Sequence, residues 1–179
     1  MCDVCFEFYL VTQSIYVPLI AIKSHEKKKN MKIMLVCTSG GHFATMKSLS
    51  SFWSEHERVW VSDRKKDTII LEESENVHWL PYQAPRDVLA LLRNLPETLK
   101  ILRLEKPDVV ISTGASLAIN FAFLGKLLGK KFIFIESISR SYGLSISGRI
   151  VYSISDEFYV QWPELCEKYK KAIFRGYAS

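Results

Sequence analysis

The sequence predicts an α/β fold: a parallel β-sheet, doubly wound, with helices on both faces. Three observations carry this. Apolar runs rich in β-branched residues recur about every 20–30 residues, and they are too continuous for strands with one wet face. Helix-length segments separate them, which is the alternation of right-handed βαβ units. Two of the runs also feed turns of small residues that open a helix, Thr38-Ser39-Gly40-Gly41-His42 and Thr113-Gly114-Ala115-Ser116. A chain of 179 residues with 48% apolar content can bury one core and suits a single domain.

The elements follow in order. Lys32 to Cys37 reads as the first strand, stopped at Thr38-Ser39 and turned by Gly40-Gly41, where no Cβ obstructs the chain. Ala44 to Leu49 suits the first turns of a helix. Arg58 to Ser62 is a second strand, Asp63 to Glu75 a polar stretch, and Val77 to Leu80 a third strand ended by Pro81. From Arg86 to Glu105 the spacing is helical. Leu91, Leu95, Leu99 and Leu102 form one stripe, Arg86, Arg93 and Lys100 another, and Pro96 predicts a kink or two helices. Lys106 to Ser112 is a strand announced by Pro107, and Leu117 to Leu128 an apolar helix with Gly129 as its C-cap. Lys131 to Ile135 is a buried strand ending at Glu136-Ser137. The Ser-rich stretch Ser139–Ser155 holds a short helix around Ser147–Ser153. Glu157 to Gln161 is a further strand, and Ile173 to Ser179 a last short one.

Residues 1–30 read differently from residues 31–179 and form a separate leader. Its uncharged run, Phe8 to Ile22, is shorter than the roughly 20 apolar residues of a spanning helix. Asp3 and Glu7 stand where a secretory signal needs positive charge. Lys23, Lys27, Lys28 and Lys29 suit an interfacial anchor with a cytoplasmic basic end. The alternative is an upstream translation artefact, with Met31 as the true start directly before the first strand.

The net charge is +5; four Lys and three acids in residues 1–30 account for +1, leaving +4 for the rest. That excess suits anionic partners such as phosphorylated substrates or a phospholipid surface. No stripe of Arg and Lys interleaves with aromatics, so no nucleic-acid partner is expected. Cys2 and Cys5 form a lone C-x-x-C, Cys37 lies inside the first strand and Cys166 stands alone, the usage of a reducing compartment without a zinc site. Neither metal-ligand spacing nor a G-x-x-x-x-G-K-[ST] loop occurs, and no metal or cofactor is expected.

Ligands of open α/β sheets bind beyond the carboxyl ends of the strands. Four loops qualify: Ser39–His42, Thr113–Ser116, Glu136–Arg140 and Gln161–Glu164. The first two offer two sets of backbone N–H groups to one diphosphate. His42 stands at a helix start, whose positive dipole end disfavours the imidazolium, and a neutral imidazole can accept a proton from a substrate hydroxyl. Glu136 ends a buried strand and is either functional or paired with Arg140.

Five motifs sharpen this reading: T-S-G-G-H at 38–42, S-T-G-A-S-L-A at 112–118, I-E-S-I-S-R at 135–140, L-S-I-S-G-R at 144–149 and F-Y-V-Q-W-P-E-L at 158–165. In this order and spacing they resemble the acceptor-side subunit of two-subunit glycosyltransferases. One branch is the membrane-anchor subunit of the eukaryotic enzyme that adds the second N-acetylglucosamine to dolichol-diphosphate-N-acetylglucosamine. The other comprises bacterial counterparts in capsule and exopolysaccharide synthesis. The resemblance covers Met31 to Ser179. The first two loops more distantly resemble the amino-terminal half of the transferase that completes the lipid-linked peptidoglycan precursor. The leader departs from both branches, since eukaryotic members carry a clear spanning helix and bacterial members often begin near Met31.

The resemblance implies a Rossmann-like, acceptor-binding half of a GT-B glycosyltransferase, at the cytoplasmic face of a bacterial inner membrane or of the endoplasmic reticulum. A separate catalytic subunit would carry the UDP-sugar site, and the acceptor would be a sugar on a polyprenyl diphosphate. Ser39, Gly40, Gly41, Thr113, Gly114 and Ser116 would hold the acceptor diphosphate, with His42 as candidate base and Glu136 as a cleft acid. The partner would dock on Phe158–Leu165 and the final segment, through Trp162, Pro163, Glu164 and Tyr177. Two competitors stay open. One is a free-standing dinucleotide-binding domain, with Asp63 about twenty residues past the glycines as its ribose acid. The other is a purely structural recruiter of a transferase.

Overall fold

The computed structural model describes residues 31–84 and 87–178. The leader at 1–30, Arg86 and Ser179 lie outside the described residues, and the readings placed on them stay expectations.

Seven strands form one sheet: β1 (Lys32–Val36), β2 (Glu57–Ser62), β3 (Val77–Trp79), β4 (Val109–Ser112), β5 (Lys131–Ile135), β6 (Glu157–Val160) and β7 (Ala172–Phe174). Their order is β3-β2-β1-β4-β5-β6-β7, and every adjacent pair is parallel. The chain reverses its direction of travel across the sheet between β1 and β4, where Leu35 stands between Trp60 and Ile111.

Strand alternation sorts the core into two layers. Ile33, Leu35, Trp60, Ile111 and Ile133 face α1 (Gly41–Ser48), whose Phe43 and Met46 pack onto them beside α2 (Ser50–Trp53). Met34, Val36, Val110, Phe132 and Phe134 face the other way. There they meet α4 (Leu95–Glu105), α5 (Leu117–Leu127), α6 (Ile146–Val151) and α7 (Glu164–Lys168). A strand buried on both faces has no polar side to spare, which is why the runs read as continuously apolar.

Several boundaries move for physical reasons. The helical stretch after Arg86 is two helices, α3 (Val88–Arg93) and α4, parted at Asn94. Pro96 sits in the first turn of α4, where its missing N–H breaks no hydrogen bond. The polar stretch after β2 contains a 3₁₀ turn at Ile69–Glu73. Gly129 follows α5 with φ +70°, the left-handed position beyond the cap. The last strand is shorter than expected. It ends at Phe174 because the Ala178 N–H is taken by Gln161 Oε1 at 2.8 Å, which folds the tail back over the α1 layer.

At the opposite end of the strands, Glu105 accepts from Lys32 at 2.8 Å and from His78 at 2.6 Å. Among the described residues no helix is long and apolar enough to cross a membrane.

Candidate functional site

With all strands parallel, their carboxyl ends share one edge, and the loops leaving β1 to β5 enclose a cleft of about 660 Å³. Thr38, Ser39 and His42 line one side, Ala115 and Ser116 the floor, and Ser137, Ser139, Arg140, Ser145 and Ser147 the far side. Lys65, Tyr82 and Gln83 come from the loops after β2 and β3.

His42 is held by a two-way bond between loops that lie 71 residues apart. Its ring Nδ1 is 2.7 Å from the Thr113 carbonyl, while Thr113 Oγ1 donates to the His42 carbonyl at 2.7 Å. A carbonyl can only accept, so Nδ1 carries the hydrogen and the neutral ring keeps its lone pair on Nε2. The ring lies against Gly114, where a Cβ would stand 2.6 Å from His42 Cε1. Gly114 has φ +123°, so glycine serves there both for backbone conformation and for the room it leaves the imidazole.

The N–H groups of the first loop are partly spoken for. Asp63, 3% exposed, accepts from the Ser39 N–H at 2.7 Å and from Ser39 Oγ at 2.9 Å. Asp67 accepts from the Gly40 N–H at 2.6 Å. Carboxylates thus already occupy two donors expected to face a diphosphate, and Gly41 keeps an N–H that no described side chain takes. Asp63 is buried against Ser39 and does not line the cleft, so it is not placed for the ribose role of a dinucleotide-binding domain.

Glu136 lies behind the cleft rather than in it. It is 1% exposed and does not line the cavity. Its carboxylate accepts from the Ser137 N–H at 2.9 Å, the Ser145 N–H at 2.9 Å and Ser145 Oγ at 3.0 Å. Ser145 in turn caps α6 by accepting from the Gly148 N–H at 3.0 Å, and Gly148 packs so closely that a Cβ would overlap Glu136 Oε2. The carboxylate fastens β5 to the start of α6 and is not paired with Arg140, whose side chain stays available at the cleft.

Sequence reasoning missed Lys65, Tyr82 and Gln83. The signal was present, because a parallel sheet delivers the loops after β2 and β3 to the same edge as the others. The loop after β6 behaves in the opposite way. Gln161–Glu164 contributes nothing to the cleft wall, and the Trp162 indole donates to the Ile138 carbonyl at 2.6 Å. Trp162 and Tyr177 do meet, edge to face at 5.8 Å, with Phe174 against Tyr177 at 5.6 Å. Pro163, Glu164 and Tyr177 are exposed. Burial pushes the Cys37 thiol far up, so this core cysteine is inert. Among the described residues no cluster of His, Cys, Asp or Glu could hold a metal ion.

Residues 20–178 match the profile of the family described as "Oligosaccharide biosynthesis protein Alg14 like". The chain belongs to this family. It is 29% identical over 178 residues to the UDP-N-acetylglucosamine transferase subunit ALG14 of Yarrowia lipolytica, covering 84% of this chain and 82% of that one. The human subunit of the same name is 29% identical over 180 residues, with 83% of each chain covered. Among solved structures, Acinetobacter baumannii MurG superposes with a TM-score of 0.67 at 13% identity, over 83% of this chain and 46% of that one. The UDP-GlcNAc 2-epimerase of Methanocaldococcus jannaschii gives 0.60 at 18% identity, over 80% and 45%. The fold is that of one half of such GT-B proteins, and the chain spans less than half their length.

Proposed function

We propose that this chain is the acceptor-binding subunit of a heteromeric UDP-N-acetylglucosamine transferase acting at the cytoplasmic face of a membrane. A second polypeptide supplies the nucleotide-sugar half. The acceptor is a sugar carried on a polyprenyl diphosphate. The observation that carries the reading is the cleft itself. It holds an imidazole with a fixed tautomer, a serine-lined far wall and two cations, Lys65 and Arg140, within half of a GT-B fold.

In this reading Lys65 and Arg140 take over the charge of the acceptor diphosphate, because Asp63 and Asp67 already hold the Ser39 and Gly40 N–H groups. Gly41, the Thr113-Gly114 turn and Ser116 complete that cradle. His42 Nε2 removes the proton from the acceptor sugar hydroxyl as its oxygen attacks the anomeric carbon of the partner-bound UDP-sugar. The bond from that carbon to the diphosphate breaks, and UDP leaves with the electron pair. Glu136 works at one remove by holding the serine wall in place. The membrane lies against α3, whose six residues bury none of their side chains and expose Val88, Leu89 and Leu92, Val88 of them at the cleft wall. The partner docks on Trp162, Pro163, Glu164 and Tyr177.

The test uses the full-length chain with calorimetry and a transfer assay. The lone chain should bind a lipid-diphosphate sugar, bind no UDP-sugar, and transfer nothing until the partner transferase is added. Micromolar UDP-sugar binding by the lone chain, or turnover without a partner, would overturn the proposal.

A further inference from the structure

The cleft has two kinds of lining, and they come from different parts of the fold. Its polar side chains, among them Ser39, Lys65, Ser116 and Arg140, stand on the loops that leave the strand ends. Five aliphatic side chains come instead from helices: Val88 and Leu91 of α3, Ile119 of α5, and Ile146 and Ile150 of α6. Helical spacing accounts for the second set. In α6 the buried face is Ser147, Gly148 and Val151, which turns Ile146 and Ile150, four residues apart, to the other side. Val88 and Leu91 share a face of α3 in the same way, and the Asn120 amide fastens that helix to α5 by donating to the Leu91 carbonyl at 2.8 Å. Val88 is 64% exposed, Ile146 50% and Ile150 41%. Aliphatic residues left open on a concave wall gain free energy when an apolar group covers them. Their occupant also shares one cavity of about 660 Å³ with Lys65 and Arg140. That charge calls for an anionic group joined directly to a hydrocarbon, which a lipid diphosphate offers and a protein segment of ordinary composition does not.

We infer that Val88, Leu91, Ile119, Ile146 and Ile150 form a groove for the first isoprene units of the acceptor lipid, so that the protein itself grips the chain next to the diphosphate. The assignment rests on the acceptor reading of the cleft. Beyond the groove the chain continues past Leu89 and Leu92, the exposed apolar residues of α3 that do not line the cleft.

The experiment titrates the full-length chain in detergent-free buffer, where no micelle takes up a tail. The probes are the methyl, dimethylallyl and geranyl esters of N-acetylglucosamine diphosphate. Affinity should rise along this series, the geranyl ester binding roughly 10- to 100-fold more tightly than the methyl ester, the factor supported by burying about two or three methylene-sized groups. Replacing both α6 residues, Ile146→Gln with Ile150→Gln, should bring the geranyl ester down to the affinity of the methyl ester. Val88→Gln, on a different helix, should shrink the same step, and it decides alone if the α6 variant does not fold. Binding of none of the esters removes the acceptor reading and this inference together. Equal binding of the methyl and geranyl esters by the wild type removes the inference alone. So does a step that survives in the variants, since the tail would then lie elsewhere, and so does a variant that weakens all three esters by one factor. A step that disappears when the partner transferase is added would assign the groove to the partner and overturn the inference as well.

Discussion

Glu136 separates structural from chemical roles in this site, and Glu136→Gln tests the distinction. In the native protein one carboxylate oxygen accepts one N–H, and the other accepts an N–H and a hydroxyl. A glutamine can keep its oxygen toward Ser145 and retain two of these bonds, but its NH₂ then faces the Ser137 N–H, donor against donor. Losing one charge-assisted bond in a buried site costs about 1.5–3 kcal/mol, and losing the negative charge at the start of α6 about 0.3–1 kcal/mol more. The sum of roughly 2–4 kcal/mol lowers the melting temperature of a chain of this size by about 5–15 °C. Thermal denaturation followed by circular dichroism reads the shift directly. Gly148→Ala should reproduce it with the carboxylate intact, since the new Cβ overlaps Glu136 Oε2. A Glu136→Gln protein that melts within a degree or two of wild type and has lost turnover would refute the reasoning, and Glu136 would then be acting on the substrate.

Three further outcomes are expected. His42→Ala should keep its melting temperature and lose on the order of 10²–10⁴-fold in transfer rate with the partner present; Gly114→Ala should lose a comparable factor with His42 still in place, because its Cβ displaces the ring, and a near-native rate in either would return His42 to a loop role. At Glu105, whose side chain is 9% exposed, burial pushes the carboxyl up, but the hydrogen bonds from Lys32 and His78 outweigh it and hold it below the ordinary range. Such a depressed group contributes stability that is fully present above the unfolded carboxylate value of about 4.3 and is lost as pH falls through the lower folded value. Glu105→Gln should therefore lower stability at pH 7 by on the order of 1–2 kcal/mol and flatten the acid limb in pH-resolved denaturant melts; an unchanged acid limb would count against the cluster. A chain beginning at Met31 should melt within about 2 °C of the full-length protein, since the described seven-stranded sheet is built from residues between Lys32 and Phe174; a fall of several degrees would show that the leader packs on the domain.

What could be read from the sequence follows from how local each cause is. β1, β4 and β5 are buried on both faces, so their own residues declare them, and Gly40-Gly41 and Pro107 punctuate them without help from elsewhere. The helix break at Asn94 was half visible in Pro96, whose ring is tolerated only in a first turn. The site depends on longer reaches. Asp63 and Asp67 lie 24 and 27 residues from the Ser39 and Gly40 N–H groups they occupy, and the spacing that singles out Asp63 points to a ribose rather than to Ser39. Glu136 stands out as a strand-end acid, but besides the adjacent Ser137 N–H its partners come from Ser145, nine residues on, in a loop whose path composition does not set. The tail beyond Phe174 looked like a strand because it is apolar. A single side-chain contact from Gln161 turns it away from the sheet edge.

The paired bonds between His42 and Thr113 also bear on when the site comes into being. They join the loop after β1 to the loop after β4, across the point where the sheet's two halves meet. Neither loop holds its shape through neighbours in sequence alone, so the imidazole has no fixed orientation until those two strands have paired. Long-range pairing of parallel strands is slow compared with helix formation. During refolding, the capacity to bind acceptor should consequently trail the recovery of helical signal, and a chain arrested before β4 docks beside β1 would carry every residue of the site and none of its geometry.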